Sequence, residues 1–350
     1  MLTVALVALA PGQGAVSPGP EFASSPESSG TAPSLVPALT QANAALQAGE
    51  ADKALALLAP LSKSELVADH AVSQDHNLVC RVRFTLREWD AGVTECGKAV
   101  RLDPQSSDFH MWLGRVLGEK ASSASFLSAF SLAKQSRAEF EESVRLDPRN
   151  SAALADLGDF YSQAPGVVGG GIDKAQKIAS QLEKVDAARS HRLRGHIAAQ
   201  QKDDATAERE FKLAIAASPH PALEWTGLAS FYAHRKRYTE MDAAIQSARN
   251  AALHDKSAAV ALYDAAGVLI EARREPELAA TLLEDYLASQ NKTEEAPAFI
   301  AHLRLARLKA RLGDVAAADR ERSAALALAR EYKPASDFNP TESGDQVSRL

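Results

Sequence analysis

With 46% hydrophobic and 24% charged residues, this chain of 350 residues lies far from the composition of disordered proteins. Its 39 basic and 45 acidic side chains give a net charge of −6, which argues against nucleic acid as the main partner, because phosphate binding needs a basic face. No apolar run reaches the roughly 18–20 residues that a membrane-spanning helix requires.

The N-terminal residues favour export from the cytoplasm. Leu2–Ala10 has the length and apolar character of a signal-peptide core, although no basic residue precedes it. A Pro/Gly/Ser-rich stretch with almost no large apolar side chains follows over residues 11–34. Residues 1–34 are therefore predicted to be a signal segment, cleaved within residues 1–15 or retained, followed by a disordered linker. A cytoplasmic protein with a frayed N-terminus is the alternative.

From Leu35 onward the sequence predicts helices separated by regular stops. The clearest stretch is Phe140–Tyr161, where Asp147-Pro148 ends one helix because proline has no N–H to donate. Reading the other stops in the same way predicts helix-turn-helix units. Eight of them begin near Leu35, Ser73, Ser107, Ser151, Ala188, Ala222, Val260 and Phe299, the array ends at Tyr332, and residues 333–350 are predicted to be a disordered tail.

Small and large residues alternate in these units in a way that close helix packing explains. Gly114, Gly158 and Gly195 are predicted where the helices of a unit approach most closely, while Phe140 and Phe211 are predicted to fill the gap between a unit and its neighbour. Two units carry insertions, over residues 121–133 and 162–171, which are predicted to form one rim and a second contact surface.

The pattern resembles the tetratricopeptide-repeat signature W-x₂-L-G-x₂-Y, as in Leu157-Gly158 with Tyr161. The signature tryptophan is replaced by His110, Leu154 and His191 in three units. The chain is also similar to uncharacterised bacterial repeat proteins. The resemblance implies an all-α, right-handed superhelical solenoid of about eight helix pairs, which binds a peptide or protein segment in a concave groove lined by the first helix of each pair.

The groove implied by this resemblance is more basic than the chain as a whole. That bias predicts a partner with an acidic segment or a C-terminal carboxylate. The alternative is that these side chains are solvated or paired with nearby acids. By register the groove would present Arg81, Arg115, Asp159, Arg189, Arg192, His196, Arg307 and Arg311.

The two cysteines, Cys80 and Cys96, lie on either side of a predicted turn at Arg87-Glu88. An antiparallel helix pair would place them at the same height on its inward face. In an exported protein they could form a disulfide. The favoured alternative is two buried thiols that pack as small apolar residues.

Catalytic and cofactor sites are not predicted. Gly166–Gly171 precedes a helix, as in phosphate-binding loops, but Ile172-Asp173 follows where such a loop needs Lys and Ser or Thr. None of the nine histidines stands in a metal-ligand motif. The predicted function is a non-catalytic interaction scaffold. The alternatives are an envelope-assembly or secretion accessory with many clients, and a small-molecule or enzymatic role at the glycine-rich insertion.

Overall fold

The computed structural model describes residues 35–60 and 69–341, and every regular element in this part of the chain is helical. The predicted all-α repeat fold is confirmed. The predicted signal segment and linker lie outside the described residues, as do residues 61–68 and 342–350. Within the described part, no helix combines the length and apolarity needed to cross a membrane.

The described residues form sixteen α-helices that follow one another as eight pairs, and each pair consists of a first and a second helix. A short seventeenth helix comes after the last pair. The pairs are α1 (Leu35–Gln47) and α2 (Ala51–Leu58), α3 (Asp69–Thr85) and α4 (Trp89–Leu102), α5 (Ser107–Ser123) and α6 (Phe126–Leu146), α7 (Ser151–Gln163) and α8 (Ile172–Leu182), α9 (Ala187–Gln200) and α10 (Asp204–Ala217), α11 (Pro221–His234) and α12 (Tyr238–His254), α13 (Val260–Ala272) and α14 (Pro276–Ala288), and α15 (Ala298–Arg311) and α16 (Val315–Leu328), followed by α17 (Lys333–Ser336).

The chain divides into two compact units. The N-terminal unit falls within residues 1–43 and 54–178, and the C-terminal unit falls within residues 44–53 and 179–350. The turns between helices follow ordinary capping rules. Asn150, for example, accepts a hydrogen bond from Ala153 N at 3.0 Å and so satisfies a free amide at the start of α7.

In the N-terminal unit, the predicted insertion over residues 121–133 is almost entirely helical. It extends α5 to Ser123 and starts α6 at Phe126, so that these two helices exceed the repeat average instead of enclosing a long loop. Phe126 and Leu127 are 63% and 81% exposed at the tip of this extension.

Close packing within a pair depends on glycine at two predicted positions. A Cβ atom on Gly114 would lie 2.7 Å from the ring of Phe140, and one on Gly195 would lie 3.0 Å from the ring of Phe211. Cβ atoms hardly ever pack at such distances, so glycine allows the first helix to approach the second here. The predicted close approaches at Gly114 and Gly195 are confirmed.

The C-terminal unit contains a contact that the linear repeat pattern did not predict. Gln47 donates to Glu294 Oε1 at 3.1 Å, and Gln47 Oε1 accepts from Glu294 N at 3.2 Å. Gly49, with a φ of +74°, allows this turn to lie directly against Ala298, whose nitrogen would be 2.2 Å from any Cβ at this position. In an ideal solenoid each repeat touches only its neighbours in sequence, whereas here a turn of the first pair packs beside the start of α15.

The C-terminal segment also differs from the predicted disordered tail. Residues 333–341 are described, and α17 buries Ala335 against the last pair. Arg322 of α16 donates to the carbonyls of Ala335 at 2.9 Å and Ser336 at 3.1 Å. A cationic side chain thus caps the carbonyl groups of a short helix, which a periodicity search cannot detect.

Candidate binding faces on the first helices

The residues predicted to line the groove all lie on first helices, but in two separate units. Arg81, Arg115 and Asp159 are in the N-terminal unit, on α3, α5 and α7. The remaining five are in the C-terminal unit. They are Arg189, Arg192 and His196 on α9, and Arg307 and Arg311 on α15.

In the N-terminal unit, two of the predicted arginines surround Trp112. The guanidinium carbons of Arg81 and Arg115 lie 5.4 Å and 4.6 Å from the centre of the Trp112 ring, within the range of cation–π attraction. Arg115 also forms an ion pair with Asp156 of α7 at 2.6 Å, and Arg81 donates to Asn43 at 3.1 Å. Both arginines are therefore engaged with neighbouring first helices.

In the C-terminal unit, Arg192 of α9 forms a buried ion pair with Glu224 of α11, with 2.9 Å between Nη1 and Oε1. Arg189 pairs within its own helix turn with Asp186 at 3.0 Å. The alternative stated from the sequence was that the predicted groove arginines pair with nearby acids. This alternative holds for Arg189 and Arg192, and for Arg115 in the N-terminal unit.

The other predicted groove residues of this unit have different surroundings. The His196 ring packs 5.4 Å from the ring of Phe211 on the second helix α10. Arg307 lies 5.9 Å from the ring of Phe338, which belongs to the C-terminal segment. Arg311 is exposed at the end of α15. Each of these three side chains therefore has different immediate surroundings.

Three charged residues outside the predicted groove set continue the row begun by Arg192. Glu224 lies on α11, Asp264 on α13 and Arg304 on α15, so that four successive first helices each contribute one charge. Arg304 is held over the ring of Tyr263, with its guanidinium carbon 4.2 Å from the ring centre. Burial raises the pKa of Asp264 to about 7, although Arg304 and Arg192 act in the opposite direction.

One feature of the sequence points to this row of charged residues on the first helices. Both carboxylates are followed three residues later by glycine, at Gly227 and Gly267, on the same side of their helices. The tetratricopeptide signature places only small and large apolar positions, so Glu224, Asp264 and Arg304 could not be selected from it.

Histidines join the two helices of several pairs. In each case a first-helix Nδ1 lies 2.6–2.8 Å from a glutamate oxygen on the second helix. Two of these histidines, His110 and His191, occupy the position of the signature tryptophan. Among the described residues no group of three or more His, Cys, Asp or Glu could hold a metal ion. The four pairs are His76–Glu95, His110–Glu139, His191–Glu210 and His302–Glu321.

Cys80 and Cys96 are joined by a disulfide between α3 and α4, with 5.2 Å between their Cα atoms. Both residues are fully buried in the core of the N-terminal unit, beside Met111 and Trp112. The bridge therefore belongs to the same core cluster as the Trp112 ring that Arg81 and Arg115 approach.

The glycine-rich insertion uses its backbone amides internally. Gly169 N donates to Gly166 O at 2.9 Å, Gly170 N to Pro165 O at 3.2 Å, and Gly171 N to Tyr161 O at 2.8 Å. A phosphate-binding loop must direct such amides at its ligand. This loop is therefore better described as a compact turn before α8.

Comparison with known proteins adds two solved structures of similar fold. A thermophilic TPR protein of Thermus thermophilus is 15% identical, with a TM-score of 0.47, and the match covers 57% of this chain and 98% of that one. The Cut9–Hcn1 hetero-tetramer of the APC/C is 12% identical, with a TM-score of 0.38, over 86% of this chain and 54% of that one.

No protein-family model matches the sequence, and no curated protein matches it. The helix pairs, their glycine contacts and their signature residues carry the assignment of the fold. The described part of the chain is an all-α array of tetratricopeptide-type helix pairs.

Proposed function

We propose that this protein is a non-catalytic interaction scaffold that binds a peptide or protein segment on its first-helix faces. The observation that carries the proposal is the burial of charge between neighbouring first helices, at Arg115–Asp156 and Arg192–Glu224. A buried ion pair contributes little net stability, because desolvation of both charges offsets their attraction. Such a pair on the first-helix face of each unit is more readily explained by recognition of a partner.

The sequence alone predicted a partner with an acidic segment, but the proposed site does not require one. Arg115, Arg189 and Arg192 already neutralise acids of the chain itself, so an acidic segment would have to compete for them. Arg311 keeps an exposed charge that an acidic segment can reach. The acidic partner therefore stays a prediction, and the first-helix faces are proposed as the site whatever the charge of the segment.

Export is part of the proposal. A disulfide between Cys80 and Cys96 would persist in an oxidising compartment and be reduced in the cytoplasm, which agrees with the apolar segment Leu2–Ala10. An envelope-assembly or secretion accessory with many clients would use the same faces. Unlike a dedicated scaffold, such an accessory would be recovered with many partners, and its binding would weaken as the salt concentration rises.

Site-specific photo-crosslinking in cells tests the proposed face. Benzoylphenylalanine is placed at Ser230 on first helix α11 and, as a matched control, at the exposed Leu213 on second helix α10. We expect the Ser230 probe to capture one or a few proteins that the Leu213 probe does not. Capture from Leu213 alone, or from neither position, would remove the first-helix face as the site.

A further inference from the structure

The joint tip of α5 and α6 carries large apolar side chains and projects from the N-terminal unit. Residues 125–128, which are Ser-Phe-Leu-Ser, are all exposed and span the N-cap and first turn of α6. Because a helical turn of about 3.6 residues points in all directions, exposure of four consecutive residues means that the turn stands clear of its neighbours. Phe130 lies one turn further on, with its ring centre 6.3 Å from that of Phe126. Transfer of such side chains from water to an apolar environment is favourable.

The projection follows from the added residues of this repeat. With 21 residues, α6 is the longest helix in the described part of the chain. Its attachment to the unit begins after the first turn, where Ala129 and Ala133 are buried and Ser136 donates to the carbonyl of Gly114 on α5 at 2.8 Å. The end of the helix before these contacts is convex, so it has to enter a partner instead of enclosing one.

The charges that flank the tip favour a negatively charged partner. Residues 121–133 contain no charged side chain, and a lysine stands on either side of them, at Lys120 and Lys134. Lys120 is paired with Asp90 at 2.6 Å. Lys134 is exposed and forms no ion pair with a described residue, so its charge is available to a group from outside.

Lys134 belongs to the same stripe of α6 as the exposed phenylalanine. Phe126, Phe130 and Lys134 follow one another at intervals of four residues, which places them on one side of the helix. The Lys134 amine lies 5.1 Å from the centre of the Phe130 ring, within the range of cation–π attraction. At about 1.5 Å per residue, the Cα atom of Lys134 lies about 12 Å behind that of Phe126 along the helix.

We propose that this tip docks on an anionic lipid surface, with Phe126 and Leu127 inserted below the headgroups and Lys134 bound to lipid phosphates. The apolar face of an interfacial helix enters a bilayer by about 5–10 Å, so a charge about 12 Å behind the apolar end lies at the level of the phosphates. A bilayer accepts a convex tip without a preformed pocket, and anionic headgroups attract a lysine that has no acid of its own. The tip is the start of a second helix, so the inference does not depend on the first-helix faces and adds a membrane contact to the proposed scaffold.

Binding of this kind is expected to be weak, reversible and sensitive to salt. Two inserted side chains provide less apolar surface than a single acyl chain, which by itself holds a protein only marginally at a membrane. One lysine close to an anionic surface strengthens binding about fivefold at low salt. This gain shrinks as added salt screens the surface potential.

The test is co-sedimentation of the full chain, at low salt, with vesicles of equal parts phosphatidylglycerol and phosphatidylcholine and with vesicles of phosphatidylcholine alone. The double variant Phe126→Ser, Leu127→Ser removes the apolar end, and Lys134→Gln removes the charge. Their matched controls are Leu253→Ser, at a leucine that is 69% exposed on α12, and Lys177→Gln, at an exposed lysine of α8. Every substituted side chain is exposed, so each variant should fold, and thermal unfolding verifies this.

The apolar segment Leu2–Ala10 is a second group that can bind lipid, so its contribution is removed from the comparison. Leu6→Asp and Val7→Asp are introduced into every protein of the series, including the reference protein. Differences between the proteins then report on the tip.

We expect the reference protein and both controls to sediment with the anionic vesicles. Binding should fall about tenfold or more for the double tip variant, and about fivefold for Lys134→Gln and for the reference protein on neutral vesicles. Unchanged binding of the double tip variant or of Lys134→Gln would overturn the inference. A reference protein that stays in solution with both kinds of vesicle would also overturn it, and is the result expected if another protein covers the tip. Neither outcome bears on the photo-crosslinking test of the first-helix faces.

Discussion

His110 shows how a residue that departs from the repeat signature can serve the same structural purpose. Its Nδ1 lies 2.6 Å from Glu139 of the second helix, and its Nε2 lies 3.2 Å from the carbonyl of Pro104. A tryptophan would join the two helices by apolar contact, whereas the imidazole joins them by hydrogen bonds. The stability of this pair consequently depends on protonation.

The hydrogen bond with Glu139 raises the pKa of His110, despite the opposing effect of burial. A raised folded-state pKa means that the stabilisation is complete below the ordinary histidine value and is lost as the pH rises through the folded one. We expect the free energy of unfolding to fall by about 1 kcal/mol over this window, allowing for solvent screening. Urea denaturation between pH 5 and pH 9 measures it, with His110→Gln as the comparison.

The variant His110→Gln should flatten this part of the pH profile, since glutamine can still donate one hydrogen bond but does not titrate. An unchanged slope in the variant would show that His110 is not the group responsible.

At the level of single residues, contacts between apolar residues could be predicted from the sequence better than contacts between polar residues. The approach of Gly114 to Phe140 follows from a signature that fixes both positions. The pairing of Arg192 with Glu224 joins residues 32 positions apart, and nothing in the local sequence of either residue selects the other. Polar partners depend on the register between neighbouring pairs, which the signature fixes only approximately.

Among the elements, α3 and α4 are held together by the link between Cys80 and Cys96 across 16 residues of chain. Closing a loop of this size restricts the unfolded chain and stabilises the fold by about 3 kcal/mol. We expect a reducing agent to lower the urea midpoint of the wild type by the corresponding amount. The double variant Cys80→Ala, Cys96→Ala should not respond to the reductant.

Counting thiols under denaturing, non-reducing conditions decides the state of the pair directly. Material recovered from outside the cytoplasm should contain no free thiol. Two free thiols in that material would contradict the bridge and leave the cysteines as buried apolar residues.

Element boundaries show where sequence patterns lose information. Residues 121–133 are recognisable as an addition to the repeat period, but the period alone does not distinguish a loop from longer helices. Residues 333–341 lack an apolar period, yet they are ordered by the hydrogen bonds that Arg322 donates to backbone carbonyls. In both cases long-range contacts or side-chain capping decide the structure, and neither leaves a periodic signal.

On the scale of a whole unit, stability should be shared by consecutive pairs, because no pair can bury both of its faces alone. Gly195→Leu tests this within the C-terminal unit, where a side chain would collide with Phe211. We expect a loss of about 3 kcal/mol or more, with hydrogen-exchange protection falling together across α9 to α12. Loss confined to α9 would contradict cooperative stacking.

Gly227→Leu is the matched control for this variant, since it makes the same change in the same unit at a position with open space. It should leave protection near the wild-type level, because a leucine also has the higher helix propensity. Comparable damage from both variants would show that the effect comes from the type of substitution and not from the contact with Phe211.

The most direct test of the central claim is hydrogen exchange of the full chain with and without the partner captured from Ser230. If the first-helix face is the binding site, the partner should slow exchange in α11, α13 and α15 and leave α10, α12 and α14 almost unchanged. Protection concentrated in the second helices would contradict the account, and the exposed tip at Phe126 and Leu127 would then be the next surface to test.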